Sequence, residues 1–272
     1  MILLVDATNL GSRAFYAHPP MVEGGRHRGA VFGFLKMLKS IRERFDPRTT
    51  VLCFDEGASK RREVYPPYKK MKEDMKQWNA GANKEKRHLK AQLKELKEEV
   101  LPAIGFSNVL SLDGYEADDL VAACCENYLV KNAVIVSSDK DLFQCMRKRP
   151  GKVIEQYTFD KTVSAGWLKN EYGVTPEQWP MVKALMGDDS DGIPGIPGCG
   201  IVGACNQVKG LPHKSKLLRA AIAAGDKTVE RNLKLMTLPW EGLEVPEIRE
   251  DRDSAASWLR VWGRLGFDKA RA

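Results

Sequence analysis

The residues best suited to chemistry are nine carboxylates in five short groups, each placed where an apolar stretch ends. They are Asp6, Asp55, Glu116 with Asp118 and Asp119, Asp139 with Asp141, and Asp188 with Asp191. Four groups follow short β-rich runs that begin at Ile2, Val51, Asn108 and Ala133. Such runs are typical of a buried parallel sheet. Because the carboxyl ends of parallel strands share one crevice, we expect these acids to meet there.

Acids packed this closely raise one another's pKa values, so the arrangement requires cations. Oxygen-only ligands favour Mg²⁺ or Mn²⁺ over zinc. A single Asp after a strand is more often a helix N-cap, and Glu116 and Asp118 would serve equally as first-turn acids of a helix. Five groups at one end of one sheet are harder to explain as independent caps. We therefore predict a metal site.

Length and composition define the setting of that site. A chain of 272 residues forms one large domain or a domain with a smaller helical lobe. No apolar stretch approaches 18 residues and no basic leader precedes the first strand, so we expect a soluble, cytoplasmic protein without a membrane partner. The six cysteines contain no Cys-x-x-Cys pair, which favours buried reduced thiols over zinc ligands or disulfides.

The net charge of +7 is concentrated in one segment, residues 60–97, with thirteen Lys or Arg against five Asp or Glu. A charged helical run is often only a solvated face. This one separates the second and third predicted strands by a length that exceeds an ordinary crossover, so it must arch over the sheet. A basic arch beside clustered acids suggests that the protein holds a polyanion next to metal ions.

The remaining pattern predicts an α/β fold with a mostly parallel central sheet flanked by helices. Helix signals cover residues 29–45, 84–100 and 116–130, and strand signals disappear after Tyr157. Thr175, Pro176 and Gln178 form a capping-box pattern that opens a helix through Met186. We expect a catalytic domain over residues 1–160, including the arch, and a helical lobe over residues 161–272.

A glycine-rich stretch, residues 187–204, contains Asp188 and Asp191 and leads into a helix. Glycines let backbone N–H groups approach an anion, and the helix N-terminus adds a positive dipole end. The stretch resembles a helix-hairpin-helix contact to a phosphate backbone, although a plain glycine-rich loop has the same composition. The two acids connect it to the predicted metal crevice.

Together these motifs resemble the 5′ nucleases, a family that includes the 5′-3′ exonuclease domain of bacterial DNA polymerase I, phage 5′ nucleases and flap endonucleases. The similar segments are residues 5–10 with Arg13, 54–55, 61–69, 116–119, 138–141 and 187–195. The resemblance implies a PIN-like α/β fold with a helical arch and a helix-two-turn-helix lobe. It also implies a stand-alone enzyme of a bacterial or phage-infected cell, because the chain is too short to include a polymerase.

The same resemblance implies the chemistry. Asp6, Asp55, Glu116 and Asp118 would organise one Mg²⁺ or Mn²⁺, and Asp139, Asp141, Asp188 and Asp191 a second, with Asp119 assisting. The substrate would be DNA with 5′ single-stranded flaps or ends, or RNA–DNA primers, and the enzyme would act as a monomer. Lys69 and Arg13 would clamp the scissile phosphate and Tyr68 would stack on a base, unless Tyr68 is a packed arch residue.

Further DNA contacts are expected from Arg61, Lys70, Lys72, Lys84, Lys86 and Arg87 in the arch, and from Gly195, Gly198 and Gly200, where K⁺ is also expected. The chain departs from the family at Val202 and Gly203, where polar residues are usual. That departure weakens the expected grip on duplex DNA but not catalysis. Two alternatives are a catalytically weak DNA-binding relative, which the complete set of acids disfavours, and a PIN-like ribonuclease, which would lack the arch and the glycine-rich hairpin.

Overall fold

The computed structural model describes residues 1–18, 21–23, 25–70, 80–127, 132–147, 151–211 and 216–268. Numbered in chain order, the strands are β1 (Ile2–Asp6), β2 (Val22–Glu23), β3 (Arg26–His27), β4 (Thr49–Cys53), β5 (Asn108–Leu110), β6 (Asn132–Val136), β7 (Val153–Tyr157), β8 (Thr162–Val163), β9 (Gly187–Asp188) and β10 (Ile193–Pro194). The main sheet has the order β5-β4-β1-β6-β7-β8, while β2–β3 and β9–β10 are separate two-stranded pairs.

The four predicted strands are confirmed as β1, β4, β5 and β6, and they run parallel, as does β7. Their carboxyl ends therefore share one edge of the sheet. The expectation that strands stop after Tyr157 is wrong, because β8 pairs antiparallel with β7, and β9 pairs with β10. These strands have two residues each, too few to show an alternating pattern in the sequence.

The helices are α1 (Ala7–Ala17), α2 (Gly29–Phe45), α3 (Arg61–Val64), α4 (Ala80–Glu95), α5 (Leu101–Ile104), α6 (Ala117–Asn127), α7 (Ala165–Tyr172), α8 (Trp179–Met186), α9 (Ile201–Val208), α10 (Lys216–Ala224), α11 (Asp226–Met236) and α12 (Ala255–Arg264). The prediction for α2 is confirmed at both ends. The helix predicted over 84–100 is α4 followed by a π-helical turn, Leu96–Val100. Thr175 precedes a short 3₁₀ turn that leads into α8, and its backbone N–H donates to the Gln178 side chain over 2.9 Å.

Both faces of the sheet are covered, so alternate residues of β1 enter different cores. Leu4 packs in one core with residues of α6 and the segment after α11. Leu3 and Val5 pack in the other with α1, α2 and α12. The six cysteines are buried thiols that form no disulfide, as predicted. Among the described helices, none combines the length and apolarity needed to cross a membrane.

The segment after α11 contacts β4 and the outer strand β5. The Asn108 side chain forms two 2.8 Å hydrogen bonds with the backbone of Arg249, one as donor and one as acceptor. Asp251 accepts a 2.7 Å hydrogen bond from the backbone N–H of Thr50 and pairs with Arg42 at 3.3 Å. The C-terminal segment therefore satisfies polar groups that the sheet leaves unpaired.

The buried acceptor at Asp251 predicts a stability effect. Replacing it by alanine leaves the N–H of Thr50 buried without a partner, so Asp251→Ala should lower the free energy of unfolding by about 2–3 kcal/mol. The neighbouring Glu250→Ala removes the same charge from an exposed pair with Arg48 and should cost under about 0.5 kcal/mol. Urea unfolding of both variants measures the difference. Equal losses would show that Asp251 acts only through its charge.

Candidate active site

Asp6 ends β1 at the centre of the carboxyl edge. One carboxylate oxygen caps α1 by accepting from Asn9 N–H at 2.9 Å, and the other accepts from Ser137 Oγ at 3.0 Å. The Ser137 hydroxyl in turn accepts from the backbone N–H of Asp139 at 3.1 Å, and Asp139 accepts from the N–H of Asp141 at 2.8 Å. Asp6 is thus both a helix cap and part of the acid cluster. Ser137 connects it to the group after β6.

A second group forms where β4 ends and α6 begins. Asp55 accepts from the backbone N–H of Ala117 at 2.8 Å. The neighbouring Glu116 receives the Lys69 ammonium at 2.6 Å and the Tyr68 hydroxyl at 2.8 Å. Burial alone would lower the pKa of Lys69, but the carboxylates of Glu116 and Asp191 outweigh burial and raise it. Lys69 is therefore a charged group inside the acid cluster.

Two predicted DNA contacts are buried instead. Arg61 is 3% exposed and holds Asp119, which is fully buried, through hydrogen bonds of 2.7 and 2.8 Å. Tyr68 is 3% exposed and also donates to Asp191 at 3.1 Å. Because Arg61 and Asp119 bond each other away from solvent, the structure does not favour a direct contact of Arg61 with DNA. The role of Asp119 in assisting a metal stays a prediction. For Tyr68, the alternative of a packed arch residue is the one that fits.

The third group centres on Lys183, a residue that sequence reasoning missed. Its Nζ lies 2.9 Å from Asp141 Oδ1 and 2.9 Å from Asp188 Oδ2. The contact to Asp188 is a hydrogen bond, whereas the Asp141 oxygen has no hydrogen-bond partner of acceptable geometry. Lys183 lies in the last turn of α8, just before the acids of the glycine-rich stretch. A basic residue at that position was the available signal.

These groups line one cavity of about 180 Å³, with Asp118, Asp139, Asp141, Asp188 and Asp191 in its wall. Asp6 and Asp55 lie beside it, and the charge of Asp55 acts on Asp6. The backbone N–H of Lys69 donates to the Asp191 carbonyl at 2.8 Å, which joins the arch base to the turn between β9 and β10. The structure thus assembles all five predicted acid groups at the carboxyl edge.

The positive charges near the acids do not offset the effect of burying so many carboxylates together. Burial, with the charges of Asp55 and Asp139, raises the pKa of Asp6 to about 7. Burial, with the charge of Asp139, raises the pKa of Asp141 to about 7, and burial also raises the pKa of Asp118. In the described ranges, no three His, Cys, Asp or Glu side chains are grouped to hold one metal ion, and two lysines lie among the acids. The oxygen-only donors and raised pKa values nevertheless fit hard divalent cations.

The other predicted contacts do not line the cavity. Arg13 is exposed and stacks on Phe159 at 4.7 Å. Exposed positions on the arch are Lys70, Lys84, Lys86 and Arg87, whereas Lys72 lies outside the described residues.

In the glycine-rich stretch, a Cβ at Gly195 would lie 2.0 Å from the Met186 carbonyl, so close backbone packing requires that glycine. A Cβ at Gly198 or Gly200 would meet open space. Val202 follows on the open side of α9 and is 71% exposed. Gly198 and Gly200 are thus accessible to a ligand, and Gly195 has a structural role.

An acid-lined crevice at the carboxyl edge of a parallel sheet, with oxygen-only donors, is the kind of site that suits divalent cations. The family described as 5′-3′ exonuclease, N-terminal resolvase-like domain, matches residues 1–173. The chain is also 31% identical over 261 residues to the 5′-3′ exonuclease of Aquifex aeolicus, covering 92% of this chain and 85% of that protein. The chain therefore belongs to the 5′-3′ exonuclease family.

Two further relatives show how far the similarity extends. DNA polymerase I of Bacillus subtilis is 31% identical over 241 residues, which cover 86% of this chain and 26% of that polymerase. The chain thus matches about a quarter of the polymerase. A solved complex of the bacteriophage T5 flap endonuclease with DNA and metal ions shares the fold, with a TM-score of 0.70, 24% identity, and coverage of 88% of this chain and 89% of that one.

The raised pKa of Asp6 predicts a pH dependence without metal. Because the folded pKa of about 7 lies above the usual 3.8, the folded state holds the proton more tightly. Stability is therefore lost as pH rises between these values, by at most a few kcal/mol. Asp6→Asn keeps the oxygen that caps α1 and removes this titration. In EDTA at pH 8 the variant should unfold at a higher temperature than the parent.

Melts of both proteins at pH 5, 6, 7 and 8 test this prediction, and the difference between them isolates Asp6 from the other acids. Mg²⁺ at pH 8 should stabilise the parent more than Asp6→Asn. If the melting temperatures of the two proteins change with pH in parallel in EDTA, the charge of Asp6 does not destabilise the folded state.

Proposed function

We propose that the protein is a structure-specific 5′ nuclease, acting as a 5′-3′ exonuclease and flap endonuclease on DNA in replication or repair. The observation that supports this most directly is the convergence of acids from three strand ends, α6 and the β9–β10 turn beside Lys69. Membership of the 5′-3′ exonuclease family supports the reaction class.

Two ions of Mg²⁺ or Mn²⁺ are proposed for the crevice. Asp6, Asp55, Glu116 and Asp118 would hold one, and Asp139, Asp141, Asp188 and Asp191 the other. When bound, such ions supply Lewis-acid stabilisation of the phosphate and an activated water. Asp119 is assigned a positioning role, since its oxygens hold Arg61 and the backbone N–H groups of Glu116 and Trp240.

Lys69 and Lys183 place two positive charges among the acids of the crevice. Lys69 Nζ lies 2.6 Å from Glu116 and 3.8 Å from Asp191, next to the proposed metal ligands. A phosphate entering the cavity would meet this ammonium, which can offset charge that develops on the phosphate oxygens. Lys183 holds Asp141 and Asp188 at equal distances and so orients two ligands from separate elements.

DNA is proposed to extend from the crevice in two directions. The arch, residues 60–97, would contact a single-stranded 5′ end through Lys70, Lys84, Lys86 and Arg87, all exposed. The hairpin at Gly198 and Gly200 would contact duplex through its backbone, with K⁺ on its carbonyls. The proposed substrate is DNA with 5′ single-stranded flaps or ends on duplex, RNA–DNA primers are a further proposed substrate, and we propose that the enzyme acts as a monomer.

Cleavage of a 5′-end-labelled flap duplex with Mg²⁺, and with EDTA, tests the proposal. The expected product is a released flap with a 3′-hydroxyl, formed only with the metal. A matched single-stranded RNA serves as the control for a ribonuclease. Failure to cut the flap with Mg²⁺ or Mn²⁺, while the RNA is cut, would overturn the proposal.

Loss of one proposed ligand should separate rate from affinity. We expect Asp141→Asn to lower single-turnover cleavage by about 100-fold or more, because ion binding and charge balance at the phosphate are lost. DNA affinity measured in Ca²⁺ should stay near that of the parent. Asp189→Asn removes the same charge from an exposed residue of the neighbouring turn and should cleave normally. Near-parental cleavage by Asp141→Asn would remove Asp141 from the metal site.

The arch predicts a salt effect. Replacing Lys84, Lys86 and Arg87 by alanine should flatten the dependence of DNA affinity on salt, by about 0.7 in the log–log slope for each lost phosphate contact. Replacing the exposed Lys36, Lys39 and Arg48 removes three charges elsewhere and should change the slope less. Fluorescence anisotropy on a single-stranded 5′-tailed duplex measures both. Equal slopes for the two triple variants would show only a general charge effect.

A further inference from the structure

Phe159 has a backbone conformation that aromatic residues avoid. Its φ is +74°, in the left-handed region, and it lies in the turn between β7 and β8. Asp46 and Lys69 are the other described non-glycine residues with positive φ. Glycine would adopt this conformation without strain, whereas a residue with a Cβ is disfavoured there. The presence of phenylalanine at 159 therefore has an energetic cost. Such an outlier suggests a function for the ring.

The surrounding turn enforces this conformation. The Tyr157 hydroxyl donates to the Phe159 carbonyl at 3.0 Å. Thr158 donates to the Lys161 carbonyl through its backbone N–H at 2.9 Å and through its hydroxyl at 3.1 Å. Tyr157 also pairs with Thr162 across the two strands. The turn is therefore defined by bonds that do not involve the Phe159 ring. One side of the ring packs against Tyr157, with ring centres 5.9 Å apart, and against the core that contains α1 and α2. The ring makes one further contact.

That contact is with Arg13. The guanidinium carbon lies 4.7 Å from the centre of the Phe159 ring. Within the described part of the chain, Arg13 makes no hydrogen bond or ion pair, and its side chain is exposed. Stacking uses the flat face of a guanidinium and leaves its N–H donors free at the edge. Arg61, Lys69 and Lys183, by contrast, have carboxylate partners.

The position of Phe159 places Arg13 beside the crevice. Phe159 follows the carboxyl end of β7 by two residues, and β7 lies next to β6 in the parallel sheet. The same strand anchors the acids, because Gln156 Nε2 donates to the carbonyls of Ser137 at 2.8 Å and Asp139 at 2.7 Å. The Arg13 guanidinium is thus held at the sheet edge that contains Asp139.

We propose that Phe159 is a positioning residue that fixes Arg13 at the rim of the crevice, with the free guanidinium edge directed to a phosphate of the bound DNA. The inference rests on the proposed function. An unstacked arginine at an exposed helix position would sample many rotamers, and the ring removes that freedom before DNA arrives. The strained φ is retained because glycine at 159 would lose the ring.

The experiment measures how DNA affinity depends on salt, in Ca²⁺ to prevent cleavage. Phe159→Gly removes no charge and relieves the strained φ, so its melting temperature should not fall by more than a few degrees. It should nevertheless reduce the log–log salt slope by about 0.7–0.9, the value of one phosphate contact. Arg13→Ala should reduce the slope by the same amount. The double variant should show no further loss, since both changes remove one contact.

Phe159→Tyr keeps the ring and should retain the parental slope. Arg44→Ala is the matched control, because Arg44 is exposed and stacks at the same 4.7 Å on a different ring, that of Tyr157. Arg44→Ala should leave the log–log salt slope of DNA affinity unchanged. A parental slope for Phe159→Gly, or additive losses in the double variant, would overturn the inference. Parental protein that binds with these slopes yet cuts no flap in Mg²⁺ would instead overturn the proposed function alone.

Discussion

A buried ion pair holds together the elements that surround the crevice. Arg61, at the base of the basic arch, pairs with Asp119 of α6, and its Nε donates to the Leu235 carbonyl of α11 at 2.9 Å. Asp119 also accepts from the backbone N–H of Trp240 at 2.8 Å. An unpaired buried charge costs several kcal/mol, so these three segments cannot shift apart independently. Tyr68 and Lys69 follow Arg61 closely in the chain, and their positions among the acids depend on this anchor.

The acid groups around this anchor are balanced by different means. Glu116 has Lys69, and Asp141 shares Lys183 with Asp188. Asp6 has hydrogen bonds but no lysine, and its pKa is raised accordingly. The crevice therefore contains acids that are paired with a lysine, Glu116, Asp141 and Asp188, beside an acid that is not, Asp6. Such a site favours incoming positive charge at Asp6 and Asp139, while the lysines limit repulsion towards a polyanion at the arch side.

Much of this arrangement was predictable from sequence, because apolar runs followed by acids indicate both the parallel strands and the edge where they end. Composition could not show which way a side chain points. Arg61 and Tyr68 belong to a strongly basic segment, yet both face the acids rather than solvent. Lys183 escaped prediction because Asp141, one of its two partners, lies far away in the chain. Ser137 was missed because a serine beside acids has no distinctive pattern, although its hydroxyl joins Asp6 to Asp139.

The contact between Asn108 and Arg249 also affects how the molecule meets its neighbours. An outer strand with unpaired N–H and C=O groups is a template for joining another chain. Here the side-chain amide of Asn108 bonds both backbone groups of Arg249, and Arg252 N–H donates to the Gly105 carbonyl at 2.8 Å, so the C-terminal segment lies against the first residue of β5 and the turn before it. At the opposite edge, β8 has only two residues and runs antiparallel. The C-terminal segment beside β5 and the short length of β8 thus limit how far another chain could extend either edge of the sheet.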